Sequence, residues 1–366
     1  MPDFTSALYL GFAHPSASLP PWEALTLGRP AALAESAGGR ALAQELTRLI
    51  GGEAGLLYPS TLHLFRDLFQ VAAPKGTLIL FDGASYPIAR WGADGAAVNG
   101  IPIETFPHRD LIALERRVRQ ARRAGQRPLI VVDGLCPSCG RPAQLPALAR
   151  LAADAGGRLV IDDTQAIGVL GREPSPIAPL GIGGGGTLAW YGLRSQATIV
   201  GASLAKAFGA PFAIVSGAST IMKQLAREGQ TRIHTSAASA ADVAAGQNAV
   251  TINRAQGEGR RARVVRLVEQ LRKELEKLGL QSRSELPIPV QAIAMPSLRV
   301  AKAVLASLDE GCIYGLVTRS CLGGLPSLTL LITARHTTAN ISRAAAGLAR
   351  AMDAASRAYH QRVEAA

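Results

Sequence analysis

Residues 198–211 read Thr-Ile-Val-Gly-Ala-Ser-Leu-Ala-Lys-Ala-Phe-Gly-Ala-Pro, and this stretch decides the fold. The short apolar run Thr198–Gly201 predicts a strand buried on both faces, and the chain then reaches Lys206 among small side chains. Burial disfavours an ammonium ion and lowers its pKa, which suits a lysine that forms a Schiff base. The alternative is a surface lysine whose methylene stem packs on apolar groups.

A second stretch, residues 160–171, reads Val-Ile-Asp-Asp-Thr-Gln-Ala-Ile-Gly-Val-Leu-Gly. Asp162 lies at the carboxyl end of a predicted buried strand, where open α/β sheets bind their ligands. It could also simply cap a helix. Because side chains alternate along a strand, we expect Asp162 rather than Asp163 to face the site. We predict two strands between Asp162 and Lys206.

Short apolar runs and amphipathic segments alternate along the middle of the chain. The predicted strands are Gly55–Tyr58, Thr77–Phe81, Leu129–Val132, Arg158–Ile161, Thr187–Tyr191, Thr198–Gly201 and Ala210–Ser216. Helical segments such as Asp110–Ala124 and Gln144–Ala155 separate several of them. This βαβ order predicts an α/β fold with a mostly parallel sheet flanked by helices. Gly183–Gly186 is expected to be a flexible loop.

The pattern changes after about residue 240. A long amphipathic helix is expected to end at Gly279, followed by short strands at Pro289–Met295, Ile313–Arg319 and Ser327–Thr333. A last helix is predicted from Asn340 to Tyr359. We therefore expect an N-terminal arm and helix at 1–50, a large domain at 51–240 and a smaller C-terminal α+β domain at 241–366.

Composition narrows the classes of function. The net charge is +12, but the arginines are scattered and no nucleic-acid-binding motif accompanies them, so we expect no nucleic-acid partner. No apolar stretch of about 18 residues predicts a membrane span, and Met1–Ser6 does not look like a signal peptide, which favours the cytoplasm. Cys136 and Cys139 form a CxxC without a second ligand pair, so we interpret them as loop thiols and predict no metal site.

The two stretches together resemble the α-oxoamine synthase branch of fold-type-I pyridoxal 5'-phosphate (PLP) enzymes, which includes 8-amino-7-oxononanoate synthase and 2-amino-3-ketobutyrate CoA ligase. Residues 161–171, IDDTQAIGVLG, are similar to the family's VDDSHATGVLG, and residues 203–210, SLAKAFGA, to its TLSKALGG. Residues 9–11 and 333–337 are similar to two further family segments, NYLGL and SAAHT. The matches lie in family order over nearly the whole chain and imply the fold-type-I aminotransferase-like fold.

The resemblance implies a role for each matching residue. Lys206 corresponds to the cofactor lysine and Asp162 to the acid that pairs with the pyridine nitrogen. Tyr86 takes the place of a stacking histidine, and Gln165 that of a histidine at the cofactor's 3-oxygen. The other implied cofactor-binding residues are the phosphate-binding Ser60, Thr61 and Ser203, and Ser236, whose family counterpart comes from a second subunit and therefore implies a homodimer.

One departure from the family concerns the substrate. The family grips the amino-acid carboxylate with an arginine from a strand that corresponds to residues 326–330, Pro-Ser-Leu-Thr-Leu, which carry no basic residue. Arg335 first and Arg319 second are the candidate replacements. We therefore expect a PLP-dependent transferase that joins an amino acid to an acyl-CoA with altered substrate recognition. An aminotransferase or lyase on the same fold, and a PLP-fold protein without turnover that serves as a binding or regulatory partner, stay as alternatives.

Overall fold

The computed structural model describes residues 2–321 and 323–364, with side chains described up to residue 355. The strands are β1 Ala54–Tyr58, β2 Thr77–Asp82, β3 Ile103–Phe106, β4 Arg127–Asp133, β5 Arg158–Asp162, β6 Thr198–Ser203, β7 Ala213–Gly217, β8 Val290–Ala294, β9 Leu316–Thr318 and β10 Ser327–Leu331. The α-helices are α1 Ala37–Ile50, α2 Thr61–Ala72, α3 Pro87–Val98, α4 Leu111–Arg123, α5 Leu145–Asp154, α6 Thr187–Tyr191, α7 Ser219–Glu228, α8 Gln230–His234, α9 Ala240–Lys277, α10 Leu298–Glu310 and α11 Thr338–Glu364.

The central sheet has seven strands in the order β1-β7-β6-β5-β4-β2-β3. All neighbouring pairs are parallel except those that involve β7, which runs against both β1 and β6. Side chains on both faces of the middle strands are buried, for example Ile130 and Val131 of β4. Helices therefore cover both faces, and the predicted α/β fold with a mostly parallel sheet is confirmed.

Helix starts follow the local sequence. The Ser60 hydroxyl accepts a hydrogen bond from the His63 N–H at the start of α2, and the Asp110 carboxylate accepts one from the Ala113 N–H at the start of α4. Such caps satisfy amide groups that have no partner within the helix. They place the amino terminus of α2 directly after β1, where the chain crosses the edge of the sheet.

The prediction of a strand at Thr187–Tyr191 is wrong, because this segment forms α6. The carboxylate of Asp163 stabilises the start of this helix, because it accepts hydrogen bonds from the Thr187 N–H at 2.9 Å and from the Thr187 hydroxyl at 2.5 Å. Only β6 therefore lies between Asp162 and Lys206, not two strands.

The run Gly183–Gly186, which we expected to be a flexible loop, is held by specific contacts. The Gly183 N–H donates to Glu258, and its carbonyl accepts from Asn253 at 3.0 Å. A Cβ atom on Gly186 would lie 1.9 Å from the Asp163 carboxylate, so this position needs glycine for its close approach as well as for its φ of +84°.

A second sheet has three antiparallel strands in the order β8-β10-β9. The first half of α9, with Val243 and Ala249, packs in the core of the seven-stranded sheet, whereas its second half, with Val264 and Leu271, packs in the core of the three-stranded sheet. One helix thus belongs to both cores. The domain division at residues 50 and 240 stays a prediction.

The N-terminal arm contacts both cores as well. Phe4 is buried against the three-stranded sheet and stacks on His336 with ring centroids 4.4 Å apart, and Tyr9 is buried in the core of the central sheet. None of the helices in the described part of the chain is long and apolar enough to cross a membrane.

Substitution of Asp163 by alanine is expected to destabilise the fold, because the buried N–H and hydroxyl of Thr187 would lose their acceptor. An unsatisfied buried polar group costs about 1–3 kcal/mol, so we expect a loss of about 2–4 kcal/mol in the free energy of unfolding. Urea denaturation followed by circular dichroism measures it. Asp163→Asn, which keeps one acceptor oxygen, is the control and should lose less; equal stability of the alanine variant and the native protein would contradict the assignment.

Candidate active site

The carboxyl ends of β4, β5 and β6 meet at one edge of the central sheet and enclose a cavity of about 150 Å³. Asp133 ends β4, Asp162 ends β5, and Lys206 follows β6 within three residues; all three side chains line the cavity. The cavity opens into a chamber of about 560 Å³ whose far wall comes from β9, β10 and the loop between them. Sequence-distant residues thus converge where open α/β sheets bind ligands.

Lys206 faces this cavity from a short loop. Burial lowers the pKa of its amine, and the nearby carboxylates of Asp162 and Asp133 oppose that effect without cancelling it. Its Nζ lies 5.8 Å from the centre of the Tyr86 ring. The neutral amine that nucleophilic chemistry requires is therefore more accessible here than on the surface.

Asp162 and Asp133 are register partners on adjacent parallel strands, so two carboxylates lie side by side. Burial raises the pKa of both, and the charge of Asp162 raises the pKa of Asp133 further. The Thr164 N–H donates to Asp162 at 3.0 Å, and the Tyr86 N–H donates to Asp133 at 3.1 Å. Asp163 points instead to Thr187, as strand alternation predicted.

Sequence reasoning missed Asp133, although the signal that identified Asp162 was present. Asp133 also ends a predicted buried strand at the same edge of the sheet. The difference is that no matching motif surrounds it. Its position next to Asp162 makes it part of the electrostatics of the cavity.

Tyr86 and Gln165 line both the cavity and the chamber. The hydroxyl of Tyr9, from the N-terminal arm, donates to Gln165 Oε1 at 2.7 Å. This contact occupies the acceptor oxygen of the amide and leaves its Nε2 as a donor toward the cavity. The arm therefore orients a polar group of the site. This contact gives a structural basis for the resemblance of residues 9–11 to the family segment.

The opposite end of the cavity offers hydroxyl and amide donors. Thr61, the first residue of α2, and Ser203, the last of β6, line it. The Ser203 N–H donates to the Thr164 hydroxyl at 3.0 Å, which fixes the end of β6 against the loop after β5. Amide groups at the amino terminus of a helix such as α2 favour an anion.

Two predicted cofactor-binding residues lie away from the described lining. The Ser60 hydroxyl bonds to the N–H of His63 and to its Nδ1 at 2.8 Å, and so caps α2. Ser236 pairs with Pro30 in an isolated bridge. Its expected contribution comes from a second subunit, so its role stays a prediction.

The structure separates the two candidate substrate arginines. Arg335 donates to the backbone carbonyls of Gly11 and Phe12, at 3.2 and 2.8 Å, and lies outside the chamber lining. Its guanidinium holds the N-terminal arm in this structure, and the role of Arg335 as the carboxylate anchor stays a prediction. Arg319 does line the chamber, and no hydrogen bond or ion pair of its guanidinium is found within residues 2–321 and 323–355.

A group of four potential metal ligands lies beside this chamber. It consists of His108, Cys136, Cys139 and Cys321, whose ligand atoms all lie within 4.8 Å of one another. The interpretation of the CxxC as two thiols without further ligands is wrong, because the fold adds a histidine after β3 and a cysteine after β9. Sequence reasoning missed them because neither belongs to a pair with zinc-ligand spacing.

The geometry defines a class of protein: a fold-type-I enzyme whose cavity is lined by a half-buried lysine and a buried acid. Comparison with known proteins agrees. The pattern of the family described as aminotransferase class I and II matches residues 31–348, and the chain belongs to this family.

The similar proteins narrow the class further. The chain is 29% identical over 357 residues to 8-amino-7-oxononanoate synthase 1 of Polaromonas sp., covering 93% of this chain and 84% of that one. It is 28% identical over 306 residues to 8-amino-7-oxononanoate synthase of Cellvibrio japonicus, covering 83% and 73%. A serine palmitoyltransferase from S. paucimobilis, solved with bound PLP, has a TM-score of 0.83 at 18% identity, over 96% of this chain and 87% of that one; this likeness shows the fold.

PLP is the cofactor of this family, and the residues present fit it. A half-buried amine and a buried acid line the same cavity, an aromatic ring borders it, and the first residue of helix α2 lines it as well. Lys206, Asp162 and Tyr86 would hold its carbonyl carbon, ring nitrogen and ring face.

Proposed function

We propose that this protein is a PLP-dependent acyltransferase that joins an amino acid to an acyl thioester, with a relocated anchor for the amino-acid carboxylate. The observation that carries the proposal is the convergence of Lys206, Asp162 and Tyr86 on a cavity that opens into a larger chamber. The cavity suits the cofactor, and the chamber offers space for an acyl donor. The similarity to 8-amino-7-oxononanoate synthases supports this reaction class.

Bound PLP supplies an electron sink for charge that develops at the Cα atom of an amino acid. Lys206 would hold the cofactor covalently, and once the substrate amino group has displaced it, its amine, whose pKa burial lowers, would accept and return the Cα proton. Asp162 would pair with the pyridine nitrogen and keep it protonated, since a carboxylate without that partner would be buried at high cost. Tyr86 would cover one face of the ring.

The remaining polar groups orient the cofactor. Gln165, held by the Tyr9 hydroxyl, would donate its amide to the 3-oxygen. Thr61, Ser203 and the first amide groups of α2 would bind the phosphate. These groups are neutral, and Lys206 is the one basic residue in the described lining of the cavity.

Arg319 is our candidate for the carboxylate anchor. In β10, where the family places its arginine, Thr329 faces the chamber and its hydroxyl pairs with that of Thr318 at 2.7 Å. These hydroxyls satisfy each other and offer no charge. Arg319 is the next residue after β9 and lines the same chamber, so a carboxylate there can reach a guanidinium.

The reaction class is tested with purified holoprotein, a panel of amino acids and acyl-CoA donors, with release of free CoA measured by liquid chromatography. We expect CoA release that depends on both substrates and is abolished in Lys206→Ala. Lys223→Ala is the matched control, because Lys223 is exposed on α7 and distant from the cavity lining; it should retain full activity.

Three other results would contradict the acyltransferase proposal. Amino-group transfer to a 2-oxo acid without CoA release would make the protein an aminotransferase, and amino-acid cleavage would make it a lyase. Cofactor binding with no turnover of any substrate would leave it a binding protein.

The carboxylate anchor is tested by replacing Arg319 with glutamine. Loss of a charge-assisted hydrogen bond costs about 1.5–3 kcal/mol, so the affinity for the preferred amino acid should fall about ten- to a hundred-fold. Titration of the cofactor absorbance measures it. The matching amino-acid amide, which has no carboxylate, is the control and should bind both proteins equally. An unchanged affinity for the free amino acid would refute the assignment.

We also propose that the protein acts in the cytoplasm as a homodimer. The support is the resemblance at Ser236 and the four cysteines, which are all free thiols. Sedimentation of the holoprotein should give twice the chain mass of 38.2 kDa, and Ser236→Ala should lower cofactor affinity while sedimenting identically. A fully active, PLP-bound monomer would contradict the proposal.

A further inference from the structure

Three loops bring four metal-ligand side chains together at the edge of the central sheet. His108 follows β3, Cys136 and Cys139 follow β4, and Cys321 follows β9 of the other sheet. Cys136 is buried, and the other three are half-buried. Three sulfurs and one imidazole nitrogen form the Cys₃His set of structural zinc sites.

The spacing of these atoms suits a tetrahedral ion. With Zn–S bonds of about 2.3 Å and Zn–N bonds of about 2.0 Å, neighbouring ligand atoms lie about 3.5–3.8 Å apart. Cys139 Sγ and His108 Nε2 lie 3.5 Å apart. All other pairs lie within 4.8 Å, so they need to close by no more than about 1 Å.

The surroundings of His108 orient it as a metal ligand. Its Nδ1 lies 2.6 Å from Oδ1 of Asp82, the last residue of β2, so the N–H at Nδ1 donates to this carboxylate and Nε2 points at the cysteines. Backbone N–H groups of Ala84 and Arg109 also donate to Asp82, at 2.8 and 3.0 Å, and hold the carboxylate in place. A carboxylate that fixes the second ring nitrogen is the usual support of a zinc-bound histidine.

The backbone around the cysteines is also arranged for a compact site. The Gly140 N–H donates to the carbonyl of Cys136 at 2.9 Å, and Gly140 has a φ of +65°, so the CxxC closes as a tight turn. The Ser138 hydroxyl, between the two cysteines, donates to the Arg319 carbonyl at 3.0 Å and accepts from the Cys321 N–H at 2.9 Å. These two hydrogen bonds hold the loop after β9, which carries the Cys321 sulfur, against the CxxC turn.

We propose that His108, Cys136, Cys139 and Cys321 bind one zinc ion. Thiolate and imidazole ligands in a tetrahedral arrangement select zinc over hard cations. Four protein ligands leave no open position, so the ion is structural: it ties the loop after β4 to the loop after β9, and both loops line the chamber. This inference is independent of the proposed acyltransferase activity, because none of the four ligands is a residue assigned to the cofactor.

The proposal is tested first by elemental analysis of the full-length holoprotein, prepared without chelators and gel-filtered into metal-free buffer. We expect one zinc per chain, retained in Cys312→Ser and lost in Cys139→Ser and Cys321→Ser. Cys312 is the matched control because it is the one cysteine outside the cluster. Circular dichroism and cofactor absorbance of each variant establish that it has folded.

A second measurement needs no variant of a ligand. Cys139, Cys321 and Cys312 are all partly exposed, so an alkylating reagent should reach each of them in a metal-free protein. In the zinc-bound protein we expect mass spectrometry to find Cys312 alkylated and the other two protected, until a chelator removes the metal.

Asp82→Asn should lower the zinc affinity about 10- to 100-fold.

Two results would overturn the proposal. One is a folded holoprotein without stoichiometric zinc that also takes up none from added zinc chloride. The other is a disulfide among Cys136, Cys139 and Cys321 in protein purified without added oxidant, because a disulfide would consume the ligands.

Discussion

Two carboxylates and one amine share a buried edge of the central sheet, and the rest of the site depends on their balance. β4 and β5 run in parallel and in register, so Asp133 and Asp162 end side by side. Burial raises the pKa of both carboxyls, the charge of Asp162 raises that of Asp133 further, and the single amine of Lys206 opposes these effects only in part. A bound group with a protonated ring nitrogen supplies the missing positive charge. The electrostatics of this edge of the sheet therefore favour such a cofactor.

The sequence was sufficient for the fold because its strands are buried on both faces. Such strands show as unbroken apolar runs, and β2, β4, β5 and β6 were each predicted within two residues of their ends. The chemistry of the site followed, since an acid and a lysine that end such strands must meet at one edge. The burial that makes these strands recognisable in the sequence also shifts the pKa values of the acid and the lysine at their ends.

The errors have a common physical origin in contacts between distant parts of the chain. Thr187–Tyr191 is short and rich in residues that favour strands, but it forms a helix whose first residue donates hydrogen bonds to the carboxylate of Asp163. The contacts of Arg335, whose role stays a prediction, could not be predicted for the same reason: its guanidinium donates to carbonyls of the N-terminal arm, at the other end of the chain. Such tertiary partners leave no periodic or spacing signal.

Hydrogen bonds of Ser138 link the two loops that border the chamber. In the family the carboxylate anchor belongs to a strand, whereas Arg319 belongs to a loop, and a loop holds a guanidinium in place only if other contacts fix its backbone. The Ser138 hydroxyl accepts a hydrogen bond from the Cys321 N–H and donates one to the carbonyl of Arg319, so the position of the proposed anchor depends on the cysteine loop after β4. A metal ion bound by the cysteines would hold the loop after β4 and the loop after β9 rigidly together. Its removal would then weaken recognition of the amino acid more than attachment of the cofactor, because Lys206 follows β6, whose register with β5 does not involve the four ligands.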